Sequence, residues 1–524
     1  MVDASPLKSL VRLVSNVVSL LTSDVLNRLT TFLLYALVGR HLDARSFGQL
    51  SLALALFYTF QVLASLGLPT PLTRIIAKDR TLTGPHLMSA SFLALSGGLA
   101  SLLALAVFVK VMHYASDTTT VVLLLGLGLI PVAMSSVCEA VFRAWERMHL
   151  IACANVPVNL GKIAAAYVFL KRGCTLNEVA LLLLASTTSV LLIEWTLMLW
   201  CIVKPRLRLD LALAWRLART SFTFLSIDGL IAVWGSITVL ILSSLTNEQD
   251  VGLFNAACQL LVPLMLFTQC VMIGVFPLLF RQYQLTEAQA EMRRTSHRLI
   301  EVLLAVILPG SVALFFLAEP MMVWAYGKPG FAAGGILLQI MVPTVALRVL
   351  AAVLGNALLA GERERITLRI VIVDLVASVI LGVLLIRQFG VVGAAVAALL
   401  VRVIDVAQHY LPAARLLSGL SLSRLAWKSL LAGSFMALVV WASRDLGLIV
   451  PLLLGSVVYL GALAALMIYS YGSLHNLRES YFPGMVLSAP SNGATPPEPV
   501  PSSLVRSTPA LSNPHNEREY EQVS

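Results

Sequence analysis

The sequence predicts an all-α polytopic membrane protein of about fourteen transmembrane helices, in two six-helix lobes plus two C-terminal helices. Three observations predict it. The 524 residues are 58% hydrophobic and 12% charged, with mean hydropathy +0.87. A soluble domain carries roughly twice that charge. Apolar runs long enough to cross the hydrocarbon core, about 20 residues, recur along most of the chain. Finally, Lys and Arg gather in alternate loops.

Taken in order, the expected crossings are 14–39, 47–77, 87–112, 119–142, 149–170, 178–203, 218–244 and 250–281. The series continues at 297–319, 331–360, 366–388, 390–414, 425–443 and 447–471. The first run carries Asp24 and Arg28 and lacks a small-residue cleavage site, so it reads as a retained helix rather than a signal peptide. With the N-terminus inside, the inner loops and helix ends hold twenty-two basic residues and the outer ones eight. Both termini are therefore expected in the cytoplasm. The expected divisions are a first lobe at 1–203, a linker at 204–217, a second lobe at 218–415, helices thirteen and fourteen at 416–471, and a cytoplasmic tail at 472–524. Beyond about Ser488 the tail is rich in Pro, Ser, Asn and Glu, a composition that favours disorder. Loops 203–217 and 282–296 mix basic and apolar residues, which suits either short amphipathic helices on the inner leaflet or solvated loop. No external loop exceeds about a dozen residues.

The net charge of +10 does not imply nucleic acid, because the basic residues stand singly or in small groups between apolar spans. Cys138, Cys153, Cys174, Cys201, Cys258 and Cys270 show no ligand spacing, and the five in or at the edge of apolar spans read as small hydrophobes. There is no GxxxxGK[ST], HExxH or GxSxG. No cofactor or metal is expected, and the chain does not read as an enzyme. Energy for transport would come from an ion gradient, from substrate supply, or from neither.

The chain also repeats itself. Leu37-Val38-Gly39-Arg40 leads through Asp43 to Phe47-Gly48, and Leu242-Ser243-Ser244-Leu245 leads through Glu248 and Asp250 to Val251-Gly252. Gly48 and Gly252 are 204 apart, an offset that carries Asp24 onto Asp228. Arg143-Ala144-Trp145-Glu146-Arg147 resembles Leu359-Ala360-Gly361-Glu362-Arg363 at an offset of 216, and Lys171 then falls on Arg387, just before Gly173 and Gly390. Two six-helix blocks enter the membrane from the same side, so the repeat is parallel, with a cavity expected between the lobes.

Ionisable residues at bilayer depth cost at least about 2.5 kcal/mol and face a cavity or a partner. Arg28, Lys162, Arg348 and Arg402 lie near the middle of their spans, as do Asp228, Asp374 and Asp405; Asp24 and Glu194 are less central. Asp24 with Arg28, and Arg402 with Asp405, have the spacing of intrahelical ion pairs. Lys162 and Arg348 have no local acid, so they are the stronger candidates for holding an anionic group such as a phosphate. His409, one turn beyond Asp405, reads as a helix-end residue facing water, with proton transfer the alternative. Pro131, Pro157, Pro263, Pro309 and Pro343 interrupt apolar runs and predict kinks. Ser96-Gly97-Gly98, Gly126 with Gly128, and Gly393-Ala394-Ala395 suit close helix contacts.

The stretch from Gly39 to Arg74, with its acidic residue, Phe47-Gly48 pair, apolar helix, Leu66-Gly67 and Arg74, resembles the opening of the polysaccharide-biosynthesis, or Wzx-like, flippases. Asp250–Phe280, Tyr326-Gly327 through Ala332-Ala333, and Gly390–Ala395 are similar to later patterns of that family. The resemblance covers roughly residues 10–470. It implies the fold shared by MATE exporters and lipid II flippases, and translocation of undecaprenyl-pyrophosphate-linked oligosaccharide across a bacterial inner membrane by alternating access, for exopolysaccharide, capsule or O-antigen. Arg28 matches a place where family members carry a basic residue. Lys162, Arg348 and Arg402 join it as substrate-binding candidates on depth alone; Asp24, Asp228, Asp374 and Asp405 are candidates for sugar contact or ion coupling. The implied partners are the lipid-linked glycan and membrane lipid, with protons or sodium as coupling ion and glycan-polymerase machinery left open. An ion-coupled small-molecule exporter of MATE type is the alternative.

Overall fold

The computed structural model describes residues 6–202, 210–283, 288–417 and 421–471. These residues form α-helices and short 3-10 turns, with no strand among them. The helices are α1 (Pro6–His41), α2 (Ala44–Ser65), α3 (Pro69–Lys78), α4 (Thr83–Met112), α5 (Ser116–Gly126), α6 (Leu129–Ala144), α7 (His149–Lys171), α8 (Leu176–Cys201) and α9 (Leu211–Leu245). Then follow α10 (Glu248–Tyr283), α11 (Ala288–Phe316), α12 (Ala318–Tyr326), α13 (Gly334–Met341), α14 (Pro343–Ala360), α15 (Glu364–Leu416), α16 (Leu422–Ser443) and α17 (Ile449–Tyr471).

Among the described residues, twelve stretches are long and apolar enough to cross a membrane. Adding α1, and dividing α15 at Gly390, gives the fourteen expected crossings. Large apolar side chains such as Leu103, Trp200 and Val457 stay exposed on the outside of the bundle, as a lipid solvent permits. The chain is a multi-pass membrane protein.

Three crossings are each made of two helices. Leu66 (φ 50°) and Gly67 (φ 65°) end α2 before Pro69 starts α3. Gly126 and Gly128 flank the break between α5 and α6, and Pro343 starts α14 directly after α13. Proline has no N–H for the preceding turn, so helices restart there readily. Pro157 and Pro309 are instead accommodated inside α7 and α11. At Gly390 (φ 59°, ψ −137°) the chain reverses between crossings eleven and twelve. A Cβ at Gly393 would stand 2.0 Å from the Leu385 carbonyl oxygen, so glycine is needed where the two halves of α15 meet.

The loops differ from expectation in three places. Residues 211–217 and 288–296 are the first turns of α9 and α11, because the helical pattern runs on past the apolar run; 203–209 and 284–287 lie outside the described residues. The connection after α11 is longer than expected and holds the short helix α12. Residues 472–524, where disorder was expected, also lie outside the described set.

The repeat is visible in the backbone. Trp145 N–H donates to the Val141 carbonyl at 3.0 Å, and Gly361 N–H to Ala357 at 3.0 Å. Glu146 N–H reaches Arg143 at 3.1 Å and Glu362 N–H reaches Leu359 at 3.1 Å, while Arg147 to Phe142 and Arg363 to Leu358 are both 2.9 Å. Glu146 and Glu362 adopt φ of 56° and 57°, a left-handed conformation rare outside glycine. Lobe-equivalent turns thus share both hydrogen bonds and strain.

The same symmetry brings α2 against α10. A Cβ on Gly48 would stand 1.7 Å from the Glu248 carbonyl oxygen, and one on Gly252 would stand 2.2 Å from that of Ala44. Around this crossing Arg45 Nε pairs with Glu248 at 2.8 Å, Gln49 donates to Glu248 at 3.1 Å, and the Thr118 hydroxyl also binds Glu248. Phe47 lies edge-on to Tyr326 and Phe331, at centroid distances of 5.3 and 5.6 Å. Arg40 donates to the Ala325 and Trp324 carbonyls at 3.0 Å, and Lys328 to that of His41 at 3.1 Å. These contacts close one face of the bundle between the lobes. Crossings thirteen and fourteen dock on α11 through a buried Lys428–Glu301 pair (2.7 Å) and the Tyr459 hydroxyl on the Ala305 carbonyl (2.8 Å).

Gly48→Val and Gly252→Val are each expected to lower stability by about 1–3 kcal/mol, the usual cost of overpacking, and to raise solvent access to α2 and α10. Thermal unfolding in detergent and labelling of cysteines placed near Arg45 measure the two effects; unchanged values would contradict the packing.

Candidate substrate site

Arg402 and Asp405 lie one turn apart on the second half of α15. Arg402 Nη1 donates to Asp405 Oδ2 at 2.6 Å, and the guanidinium covers the Trp234 ring of α9 at 5.7 Å. Asp405 is 3% exposed. His409 Nδ1 lies 2.9 Å from both the Asp405 carbonyl and its Oδ1. Its Nε2 edge faces Gly355 of α14, where a Cβ would come within 3.1 Å. His409 is therefore buried, not water-facing as its helix-end position suggested, because α14 covers it and Asp405 binds it.

Asp374, on the first half of α15, is 1% exposed and accepts from Gln408 Nε2 at 3.0 Å. Its carboxyl also interacts electrostatically with that of Asp405. The Gly390 reversal is what brings these two acids together. Arg402, Gln408 and His409 thus surround the buried carboxyls of Asp374 and Asp405 in one network.

Arg348 of α14 stands beside this network, exposed, within the electrostatic reach of Arg402, Asp405 and Arg28. Arg28 comes from α1 and also acts on the Tyr58 ring of α2. Arg348 therefore feels cationic charge from both lobes, and Asp405 pairs directly with Arg402. Arg348 forms no ion pair among the described residues. A guanidinium offers a rigid fork of donors that matches phosphate oxygens. The arrangement can hold a multiply charged anion.

Lys162 lies elsewhere, in a first-lobe cavity of about 280 Å³, where Nζ donates to Asn159 Oδ1 at 2.7 Å. Asn27, Tyr58, Ser135, Glu139 and Asn155 line the same cavity. Arg28 follows the cavity-lining Asn27 on α1 and acts electrostatically on Tyr58, which lines the same cavity. Asp228 is exposed on α9, away from the hydrogen bonds of the network. The Asp24 side chain lies outside those described, so its pairing with Arg28 does too. Glu139, Gln408 and Trp234 escaped sequence reading. Asn155, Asn159 and Lys162 share one face of α7 at helical spacing, a signal present in the sequence. All six cysteines are free, and no metal-ligand cluster occurs among the described residues.

A family model described as polysaccharide biosynthesis protein matches residues 13–283, more than half of the chain. The chain belongs to the polysaccharide biosynthesis protein family. A curated relative, the probable low-salt glycan biosynthesis flippase Agl15 of Haloferax volcanii, is 25% identical over 184 residues. That match spans 35% of this chain and 38% of the relative, well under two thirds of its length. Among solved structures, the lipid II flippase MurJ in an inward closed conformation superposes with a TM-score of 0.68 at 12% identity, covering 87% of this chain and 99% of that one. An inward-facing multidrug resistance MATE family transporter of the MOP superfamily gives 0.59 at 14%, covering 75% and 96%. At these identities the likeness shows the fold. The family is that of polysaccharide biosynthesis proteins, and the fold is one that a lipid II flippase and a MATE transporter also adopt.

Removing one partner of a buried ion pair strands the other. Asp405→Ala is expected to cost about 3–5 kcal/mol of stability, and Arg402→Met combined with Asp405→Leu less than that. Thermal unfolding of the three variants measures both; an Asp405→Ala protein as stable as wild type would contradict the geometry.

Proposed function

We propose that the protein flips a polyprenyl-pyrophosphate-linked oligosaccharide, of the undecaprenyl type, across a bacterial inner membrane by alternating access, for exopolysaccharide, capsule or O-antigen assembly. One observation carries this reading: Arg348 of the second lobe lies within the electrostatic reach of Arg28 of the first lobe and of Arg402, which pairs with Asp405. A ligand bridging them would feel both lobes at once. Phosphate is the chemistry that neighbouring guanidinium groups favour.

In this reading the pyrophosphate sits at Arg28 and Arg348, with Arg402 steered by Asp405 and Trp234. Lys162 and the amides of the first-lobe cavity contact the glycan or its nearer phosphate. Asp24, Asp228 and Asp374 contact sugar or take part in ion coupling. The lipid tail remains in the bilayer while the head crosses between lobes. Transport would require the contact at Gly48 and Gly252 to part, since it closes one face. The basic-residue bias supports cytoplasmic termini, and that closed face would then be the outer one. A glycan polymerase acting on the delivered substrate is the natural downstream partner.

Reconstituted vesicles carrying a lipid-pyrophosphate glycan test the reading. Wild type is expected to expose the glycan to an external lectin. Each charge-assisted bond contributes about 1.5–3 kcal/mol, so Arg28→Ala and Arg348→Ala are expected to lose about tenfold or more in rate, and Lys162→Ala less. No lectin-accessible glycan with wild type, or efflux of cationic drugs from the same vesicles, would instead point to an ion-coupled exporter.

A further inference from the structure

A second group of acids lies in the first lobe, away from the arginine cluster. Glu194 of α8 is 0% exposed. Its Oε2 accepts a hydrogen bond from the Ser135 hydroxyl of α6, while its Oε1 has no partner. Glu139, one turn beyond Ser135 on α6, interacts with Glu194 electrostatically and pairs with Arg143 at 2.6 Å. Ser135 and Glu139 both line the 280 Å³ cavity, so water reaches Glu139 and the edge of the pair. Two carboxyls therefore share one nearby cation, and that cation is bound to the outer of the two.

A bare carboxylate sealed in apolar surroundings is costly and resolves the cost by pairing or by neutralisation. The titratable groups that act on Glu194 come from α6. They are Glu139, Arg143 and Cys138. From α7 and α2, Lys162 and Tyr58 line the shared cavity; α5 carries no titratable side chain beyond Asp117 in its first turn. None of them reaches Oε1. A metal cation of the hard type asks for roughly six oxygen ligands, whereas here a single oxygen is open, the serine hydroxyl is already donating, and Glu139 is held by arginine. One proton satisfies the site.

We propose that Glu194, with Glu139 as its link to cavity water, is an exchangeable proton site of the first lobe. A proton from water passes to Glu139, then bonds to Oε1 of Glu194; it leaves by the reverse route, and no other bond changes. The site depends on the transporter fold and not on which lipid-linked glycan is carried. It would give the first lobe a charge state that responds to the proton gradient, independently of the second-lobe network at Asp405.

Infrared difference spectroscopy of the purified full-length protein in nanodiscs, stepped in pH, tests this without any transport assay. Wild type is expected to show a protonated carboxyl C=O band that appears and disappears reversibly. Glu194→Gln should lose that band, and Ser135→Ala should shift its frequency by removing the hydroxyl on Oε2. Should Glu194→Gln fail to fold, Glu139→Gln reads the same site: its band should remain but titrate with a midpoint moved by about one pH unit, the scale of a nearby charge. The same spectrum in wild type and Glu194→Gln, or an unmoved midpoint in Glu139→Gln, overturns the proposal. Loss of the wild-type band on adding sodium at fixed pH also overturns it, in favour of a metal cation. Because the readout is the carboxyl itself, a negative result leaves the flippase reading standing, and failed flipping leaves this result interpretable.

Discussion

Charge placed at bilayer depth is the constraint on which the rest of this structure depends. A lone ionised side chain there costs at least about 2.5 kcal/mol, and the chain carries several. The fold answers in two ways. In the second lobe it folds α15 back at Gly390 so that Asp374, Asp405, Arg402, Gln408 and His409 satisfy one another. Elsewhere it turns cations such as Arg348 and Lys162 toward a polar cavity or a neighbouring lobe. The breaks at Gly67, between α5 and α6, and before Pro343 then allow fourteen crossings to wrap around these sites without leaving backbone groups in lipid.

Symmetry supplies the second theme. Glu146 and Glu362 hold the same left-handed turn with the same hydrogen bonds, so the two lobes are copies in backbone detail and not merely in hydropathy. Where copies meet at a two-fold axis, equivalent residues must touch. Gly48 and Gly252 do so, and their missing side chains let α2 and α10 cross with the backbone of one against the other. A contact with so little side chain is closely packed when shut, yet it ties few groups together when it parts. The Arg45–Glu248 pair beside it is partly exposed and of the kind that contributes about 1 kcal/mol or less. Such a face is suited to repeated opening.

Much of this was legible in the sequence, for physical reasons. Apolar runs long enough to cross lipid have few alternatives, so the fourteen crossings and the repeat could be read directly. Arg402 with Asp405 could also be read, because an i,i+3 pair is local. His409 could not: its burial depends on Gly355 of another helix, and periodicity carries no information about that. The action of Arg28 on Arg348 is likewise a product of packing between lobes. Glu194 was legible as an acid at bilayer depth, but Glu139 was not, and only the packing of α6 on α8 makes them neighbours. Asn155, Asn159 and Lys162 were within reach of sequence reasoning, since three polar residues at helical spacing in an apolar helix mark a cavity face.

The central claim is that Arg28 and Arg348 hold one anionic head between two lobes. The most direct measurement is a double-mutant cycle of equilibrium binding, using a short-chain polyprenyl pyrophosphate glycan with wild type, Arg28→Ala, Arg348→Ala and the double variant. Residues that share one ligand are expected to show weakened binding in each single variant and a coupling energy of about 0.5–3 kcal/mol between them. Binding that is unchanged in both single variants, or losses that simply add, would contradict the account.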